Sequence, residues 1–258
     1  MMKVKNPHHI PNQDMQPFLE APIVSVITVV YNNLASIEET ILSVLNLNYK
    51  NIEYIIIDGG STDGTLEIVK KYESRIDSLI SEPDICVYDA MNKGIKISNG
   101  VWLNFMNSGD KFVSENSLDF LSEVSEENET QIYYSDTIRV FRSNKRLGVN
   151  DHKDLSLNHQ SMVYQKTLHE KYGYYVVGKK ITISDYIFFS SIQDESFEKL
   201  PVPIAVYDTT GMSADGNTYY KKVCVEFLFG NRSWFKLIVG LIIYRPYRRI
   251  KELFVESY

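Results

Sequence analysis

The feature that most constrains this chain is a continuous β-branched run, "IVSVITVV", at residues 23–30. A run without polar alternation is typical of a strand that is buried on both faces of a sheet. A similar run, "IEYIII", begins at Ile52, and the apolar segments "DSLISE" and "VWLNFM" follow it. The intervening segments have helical spacing, and in the first of them Ser36 and Glu39 predict a capping box.

Strands and helices that alternate in this order predict a parallel α/β sheet. The ligands of such sheets bind beyond the carboxyl ends of the strands. Three polar or glycine-rich loops occupy those ends, at residues 31–33, 58–65 and 107–110. We therefore expect the ligand site where these loops meet.

The pattern is looser after Asp110. "QIYYSDTIRVF" alternates as antiparallel strands do, and residues 160–175 are predicted to be helical. "ISDYIFFSSI" predicts a further helix, with Ser184 as its N-cap. This second part of the chain is therefore expected to be a more irregular, mixed structure.

The sequence as a whole predicts one mixed α/β domain over residues 22–230. Its first half, residues 22–112, is the nucleotide-binding type, and its smaller second half covers residues 113–230. A polar, proline-punctuated arm precedes the domain at residues 1–21, and a basic and apolar tail follows at residues 231–258.

Charge and composition exclude some classes of protein. The chain has 27 basic and 33 acidic residues, a net charge of -6, so no nucleic-acid partner is expected. Cys86 and Cys224 lie far apart and are predicted to be reduced thiols. Residues 1–20 lack the apolar core of a signal peptide, and we expect a cytoplasmic protein.

Two strand ends carry isolated carboxylates among turn residues. In "IIIDGGSTDGT", Asp58 precedes three glycines within six residues, a spacing that matches neither the dinucleotide fingerprint nor the phosphate loop. The segment suits either nucleoside binding or a turn that ends with Asp63 capping a helix. In "WLNFMNSGD", Asp110 is the only carboxylate, and it suits either a turn or a metal site.

Four segments resemble the successive blocks of family 2 glycosyltransferases: "SVITVVYNN", "IEYIIIDGGSTDGT", "SEPDICVYDAMNKGI" and "VWLNFMNSGD". The resemblance is closest to the bacterial branch that builds cell-surface polysaccharides, and it continues more weakly through "NHQSMVYQKTLHEKYG", "ISDYIFF" and "TTGMS". It implies an α/β fold of the GT-A type, in which a mostly parallel nucleotide-binding sheet flanked by helices joins a smaller mixed acceptor-binding half. It also implies transfer of a sugar from a nucleotide sugar with inversion at the anomeric carbon.

The resemblance assigns a nucleotide-sugar subsite to five residues. Tyr31 is expected near the base and Asp58 at the nucleoside, and the others are expected to line the donor: Asp84, Asn92 and Lys93. Two positions depart from the family pattern. Gly59 replaces the second acid of an Asp-Asp-Gly-Ser block, and Met91 replaces a frequent arginine, which leaves Lys93 as the candidate for the pyrophosphate.

The resemblance also assigns a metal ligand, a base and an acceptor contact. Asp110 aligns with the last acid of a metal-binding Asp-Ser-Asp-Asp block and is expected to hold Mn²⁺ or Mg²⁺ together with the donor pyrophosphate. Asp185 matches the general base; the alternative is that it only stabilises a helix N-terminus. His159 and Gln160 match a pair expected at the acceptor, although a histidine satisfied in the core is the alternative.

The predicted reaction is transfer of a hexose from a UDP-sugar, in β linkage, to a lipid-diphosphate-linked sugar such as GlcNAc-diphospho-undecaprenol. By family analogy the hexose is glucose or galactose and the process is O-antigen or capsule assembly. One alternative is a non-catalytic nucleotide-sugar-binding module, because Asn107 and Gly109 replace two acids of the metal block. The other is a sugar nucleotidyltransferase, although "YNNLASIEE" lacks the basic residue expected there.

The tail predicts a membrane contact. Residues 232–251 carry six basic residues and no acid, and Trp234 to Tyr244 are apolar except for Lys236 and Gly240. This apolar stretch is too short for a bilayer, which takes about 20 residues. We expect the tail to lie on an anionic membrane surface, at the cytoplasmic face of the inner membrane, with an ordinary core helix as the alternative.

Overall fold

The computed structural model describes residues 23–209, except 125–127, 142–143, 153–156 and 193–195, together with residues 222, 224, 225 and 228. The N-terminal arm, the C-terminal tail and most of "TTGMS" lie outside the described residues. Their roles, and the division of the domain at residue 112, stay predictions. No helix in the described part of the chain is long and apolar enough to cross a membrane.

The described residues form two sheets flanked by helices. The larger sheet contains β1 (Val24–Val30), β2 (Ile52–Asp58), β3 (Ser78–Ser81), β4 (Trp102–Phe105), β6 (Ile132–Tyr134), β9 (Met162–Gln165) and β10 (Phe197–Lys199). The smaller sheet contains β5 (Lys111–Phe112), β7 (Thr137–Phe141), β8 (Asn144–Gly148) and β11 (Ala205–Asp208). The α-helices are α1 (Ile37–Leu45), α2 (Thr65–Lys70), α3 (Val87–Ile97), α4 (Thr167–Tyr172) and α5 (Ser184–Ser191), and single 3₁₀ turns cover Glu73–Arg75, Asp119–Glu123 and His159–Ser161.

The larger sheet has the strand order β10-β6-β9-β4-β1-β2-β3. Strands β4, β1, β2 and β3 are parallel to one another, whereas β9 runs antiparallel to both β4 and β6. In the smaller sheet, with the order β5-β11-β7-β8, only β11 and β7 are parallel. The predicted mixed α/β fold with a mostly parallel sheet is therefore confirmed.

The first strand is apolar throughout because both of its faces are covered. Every residue of β1 is buried. Val24 and Val26 pack in one core cluster, which includes side chains of α1, whereas Ile27 packs in a second cluster with side chains of α3. Helices on both faces of the sheet leave its carboxyl edge as the place where polar loops can meet.

The predicted capping box at α1 is wrong. Ser36 occupies the N-cap, but its side chain makes no capping hydrogen bond. The Glu39 carboxylate instead lies 2.7 Å from the Lys111 ammonium, which follows β4 in the chain. A contact made only in the folded chain therefore replaces the expected local one.

The helix predicted over residues 160–175 is only partly correct. Residues 162–165 form β9, which completes hydrogen bonding between β4 and β6, and the helix α4 begins only at Thr167. The predicted N-cap at Ser184 is also wrong, because Ile183 is the N-cap and Ser184 is the first helical residue. The Ser184 hydroxyl oxygen accepts a hydrogen bond from the Val176 amide at 2.5 Å.

Candidate active site

The three polar loops meet at the carboxyl edge of the parallel strands, as expected. The Asn33 side-chain amide donates to the Ser108 hydroxyl at 3.0 Å, which joins the first loop to the loop after β4. Asn32 joins the first loop to the loop after β2, because its backbone amide donates to the Ser61 hydroxyl and its side-chain oxygen accepts from the Thr62 amide, both at 2.8 Å. These bonds hold the loops as one surface.

Tyr31 and Asp84 meet over Gly59. The Tyr31 side chain is 65% exposed at the end of β1, so one face of its ring is available to a planar ligand. A Cβ at residue 59 would lie 3.0 Å from the Asp84 carboxylate and 3.3 Å from the Tyr31 ring. Glycine at this position therefore allows Tyr31 and Asp84 to approach, and an acid there would displace them.

Asp84 and Lys93 form an ion pair on this side of the candidate site. The Lys93 ammonium lies 2.6 Å from Asp84 and 2.8 Å from Glu82, and it donates to the Pro83 carbonyl at 3.3 Å. Burial would lower the pKa of Lys93, but the two carboxylates outweigh it and raise the pKa. Burial raises the pKa of Asp84 in spite of Lys93. Lys93 therefore fixes the loop 82–84, and a pyrophosphate would have to compete for it.

Two further predicted donor residues use their side chains to hold loops. Asp58 is fully buried and accepts hydrogen bonds from the Ser81 hydroxyl at 2.6 Å and from the Ser61 amide. Asn92 donates to the Tyr175 carbonyl at 2.8 Å and accepts from the Tyr175 amide at 3.0 Å. Asp58 therefore anchors the loop after β2, and Asn92 bonds to a loop that is distant in sequence. Direct contacts of Asp58 and Asn92 with a donor stay predictions.

Asp110 is a buried carboxylate with an unusual environment. It is 5% exposed, and its oxygens accept from the Gln160 side-chain amide at 2.6 Å and from the Asp208 backbone amide at 2.9 Å. Burial raises the pKa of Asp110 to about 7, against the lowering effect of these two hydrogen bonds. The carboxylate is therefore held in place but poorly stabilised in its charged form.

The surroundings of Asp110 fit a hard divalent cation. The side-chain oxygens Oδ1 of Asn107 and Oε1 of Gln160 are buried and have no hydrogen-bond partner. The Asp208 carboxylate lies 3.9 Å from the position of a Cβ on Gly109, so a second acid is close. Unpaired oxygens beside a poorly stabilised carboxylate suit Mg²⁺ or Mn²⁺, which prefer oxygen ligands. No group of three or more His, Cys, Asp or Glu side chains suited to a metal occurs among the described residues.

Asp185 is held from two sides at the start of α5. The Tyr88 hydroxyl donates to its Oδ1 at 2.7 Å, and His159 Nδ1 lies 3.0 Å from its Oδ2. Burial alone would raise the pKa of Asp185, but the hydrogen bonds from His159 and Tyr88 and the charge of His159 lower it to about 2. The side chain is still 25% exposed, so an ionised carboxylate is accessible to a substrate hydroxyl.

His159 connects Asp185 and Asn107 through its two ring nitrogens. An ionised Asp185 only accepts hydrogen bonds, so His159 Nδ1 donates to it. His159 Nε2 lies 3.0 Å from the nitrogen of the Asn107 side-chain amide. Asn107, which replaces an acid of the family block, therefore holds the second ring nitrogen of His159.

His159 and Gln160 together connect the two carboxylates. They are consecutive residues of one 3₁₀ turn that precedes β9; His159 binds Asp185 and Gln160 binds Asp110. The predicted pair is therefore found between the predicted metal ligand and the predicted base. Its contact with an acceptor stays a prediction.

Sequence reasoning missed two members of this cluster. Tyr88 lies 97 residues before its partner Asp185, and its helical position gave no signal of a polar role. Asp208 ends β11 and lies directly before "TTGMS", so its place beside a family block was the available signal.

Comparison with known proteins identifies the family of this fold. Residues 25–192 match the model of glycosyl transferase family 2. A Bacillus subtilis protein named provisionally as the teichuronic acid biosynthesis glycosyltransferase TuaG is 38% identical over 110 residues, which is 40% of this chain and 44% of that protein. The chain spans from about a third to less than half of the length of such curated relatives.

Solved structures support the GT-A fold. S. aureus TarS 1-349, in complex with UDP-GlcNAc, superposes with a TM-score of 0.66 at 17% identity, over 80% of this chain and 65% of that chain. The mannosyltransferase PcManGT from Pyrobaculum calidifontis, in complex with GDP-Man and Mn²⁺, superposes with a TM-score of 0.58 at 14% identity, over 81% of this chain and 61% of that chain. At these identities the likeness establishes the fold.

Proposed function

We propose that this chain, which belongs to glycosyl transferase family 2, transfers a hexose from a UDP-sugar to a lipid-diphosphate-linked sugar in the assembly of a bacterial surface polysaccharide. The observation that carries the proposal is that Gln160 and His159, adjacent in sequence, hold Asp110 and Asp185 at the carboxyl edge of a parallel sheet. The Asp110 carboxylate suits a cation, and the Asp185 carboxylate suits the acceptance of a proton from the substrate. A binding module would not need both.

The donor is assigned to the surface formed by Tyr31, Gly59 and Asp84. The exposed Tyr31 ring provides a stacking face for the base, and Gly59 allows Tyr31 and Asp84 to approach each other there. The loop anchored by Asp58 lies beside the ribose, so Asp58 acts by positioning. TarS was solved with UDP-GlcNAc, which supports a UDP-sugar here.

The reaction is a single displacement with inversion. The acceptor hydroxyl oxygen forms a bond to the anomeric carbon, the bond from that carbon to the diphosphate breaks, and the nucleoside diphosphate leaves with the electron pair. Asp185 takes the hydroxyl proton. Because a carboxylate of low pKa is a weak base, the proton moves late, once the hydroxyl has begun to bond to carbon. Tyr88 and His159 keep Asp185 ionised and oriented until then.

Asp110 would hold Mn²⁺ or Mg²⁺, with Asp208 and the unpaired oxygens of Asn107 and Gln160 as neighbouring ligands or ligands of bound water. A cation bound there supplies positive charge for the departing diphosphate. Asp110 contributes the negative charge that retains the cation, and Gln160 fixes its orientation.

The acceptor enters past Asp185, and the basic tail of residues 232–251 brings the chain to an anionic membrane surface. We assign the protein to the cytoplasmic face of the inner membrane, where nucleotide sugars and lipid-linked acceptors meet. The proposal includes glucose or galactose as the hexose, a β linkage, and O-antigen or capsule as the product. TuaG, named for teichuronic acid biosynthesis, supports a cell-surface product.

A panel of nucleotide sugars tested against a short-chain GlcNAc-diphospho-lipid, with Mn²⁺, tests the proposal. The expected result is a product heavier by one hexose in mass spectrometry, formed with UDP-glucose or UDP-galactose. Lys70→Gln, on the exposed side of α2 and outside the candidate site, controls for handling. Transfer by no nucleotide sugar, with tight UDP binding, would instead identify a non-catalytic module.

A further inference from the structure

A solvent-facing loop directly before α5 combines apolar and basic side chains. Within residues 173–180, Tyr174, Val176 and Val177 are 46%, 47% and 36% exposed. Lys179 and Lys180 in the same loop are exposed as well. Exposed aliphatic and aromatic groups beside lysines are the composition of segments that lie in a membrane interface.

The loop 173–180 is held firmly in this conformation. Its central residue, Tyr175, is buried, and the Asn92 side chain bonds to both its backbone amide and its carbonyl. The Tyr175 hydroxyl lies 2.9 Å from that of Tyr164, and the Val176 amide donates to Ser184. The fold therefore keeps Val176 and Val177 exposed to water.

Charge restricts the partner of this loop. The segment 171–184 contains three lysines and no acid, whereas the whole chain has a net charge of -6. Asp185, which follows the segment, is engaged with Tyr88 and His159. The loop therefore presents a local positive charge next to apolar groups, which complements an anionic lipid surface and opposes a symmetric contact with the same loop of a second copy.

The described residues nearest to the basic tail in sequence pack against the start of α5, which follows the loop. Val225 packs with Ile183 and Tyr186, and the Lys222 ammonium lies 4.6 Å from the centre of the Tyr186 ring.

We propose that the loop 173–180 docks on the surface of an anionic bilayer and turns the Asp185 side of the candidate active site toward the membrane. Val176 and Val177 enter the interface, and Lys179 and Lys180 lie among the anionic headgroups. A lipid-linked acceptor would then reach Asp185 while its lipid remains in the bilayer. This last point rests on the proposed function, whereas the docking itself does not.

Vesicle binding of the full chain tests the docking without any substrate. We expect Lys179→Gln with Lys180→Gln to lower the partition onto phosphatidylglycerol vesicles at low salt by roughly 30-fold, at about 1 kcal/mol for each lysine. At higher salt, Val176→Ser with Val177→Ser should lower this partition further than the two lysine substitutions do. The matched control is Lys70→Gln with Lys71→Gln on the exposed side of α2, which should bind as the unaltered chain does.

A tryptophan probe locates the contact. In a Trp234→Phe background, which removes the tryptophan of the tail, Val177→Trp should show a blue-shifted emission with anionic vesicles and quenching by brominated lipid, whereas Val101→Trp, at another exposed valine, should show neither. Vesicle binding that is unchanged in the loop variants overturns the inference. The inference is also overturned if only Lys145→Gln with Arg146→Gln, on the exposed strand β8, reduces vesicle binding. It is overturned as well if the unaltered chain does not bind anionic vesicles.

Transfer to a water-soluble acceptor separates the two proposals. The loop variants should keep transfer to a short-chain acceptor and lose transfer to an acceptor embedded in anionic vesicles. A chain that transfers to the soluble acceptor but ignores vesicles overturns the docking alone. A chain that docks through the loop but transfers to neither acceptor overturns the proposed function alone.

Discussion

Replacement of Asp110 by asparagine should stabilise the metal-free protein, and more so at high pH. In the folded chain burial raises the pKa of Asp110 to about 7, whereas an aspartate in an unfolded chain has a pKa of about 3.9. The carboxyl therefore contributes stability that is fully present below the unfolded pKa and is lost as pH rises through 7. Asp110→Asn has no charge to bury and should not show this loss.

The structure explains why asparagine should fit. The Asp208 amide can still donate to the asparagine oxygen, and the new amide group would face Gln160. Gln160 Oε1 is buried without a partner, so rotation of its amide group would offer that oxygen as an acceptor. The substitution should therefore remove a buried charge without leaving an additional unpaired group.

The size of the effect follows from the pKa difference. At 1.36 kcal/mol per pKa unit, a difference of about 3 units corresponds to about 4 kcal/mol once both states are ionised. Between pH 5 and pH 8, the free energy of unfolding of Asp110→Asn should gain about 3 kcal/mol relative to the unaltered chain.

Urea denaturation in EDTA at pH 5 and pH 8 measures this difference. Glu115→Gln, at an exposed carboxyl, controls for the change in net charge. Addition of Mn²⁺ at pH 8 should stabilise the unaltered chain and have little effect on Asp110→Asn. An equal stability difference at both pH values, or equal stabilisation of both proteins by Mn²⁺, would refute the reasoning about Asp110.

Three other substitutions address the base and the donor surface. Asp185→Asn should slow transfer by about 10²–10⁴ with unchanged UDP affinity by calorimetry, and normal turnover would remove it from the mechanism. Tyr88→Phe removes a hydrogen bond to a charged group and should lower the free energy of unfolding by about 1.5–3 kcal/mol in urea denaturation. Tyr54→Phe removes a hydrogen bond to a neutral partner and should lower it by only about 0.5–1.5 kcal/mol. Equal losses would contradict the charge-assisted bond. Tyr31→Ala should cost about 1–3 kcal/mol of UDP binding through lost stacking, which Tyr31→Phe should retain, and equal affinities would place the base elsewhere.

The parallel half of the fold could be predicted because its signals are local. The run at residues 23–30 is apolar throughout because helices cover both faces of β1, and the polar loops that follow each strand meet where the rule for parallel sheets places them. The mixed half of the fold was harder to predict from the sequence. Residues 162–165 form a strand only because β4 and β6 are available on either side, and this depends on contacts remote in sequence.

The candidate site shows the same division. Asp110 and Asp185 were found through the family blocks, but the network between them was not. The bond from Tyr88 to Asp185 joins residues 97 positions apart, and a ring nitrogen of His159 is held by Asn107, which sequence comparison treats only as a missing acid. Asn92 and Lys93 fall in a family block, yet their side chains chiefly hold loops.

The most direct test of the account is to follow the phosphorus products of the reaction. A ³¹P NMR time course with UDP-hexose, Mn²⁺ and a GlcNAc-diphospho-lipid should show one UDP released for each new β-glycoside, and Asp185→Asn should leave the donor intact. Release of pyrophosphate would indicate a nucleotidyltransferase. Retention of an intact donor by the unaltered chain, although UDP binds at Tyr31, would contradict the claim that Asp110 and Asp185 form a transferase site.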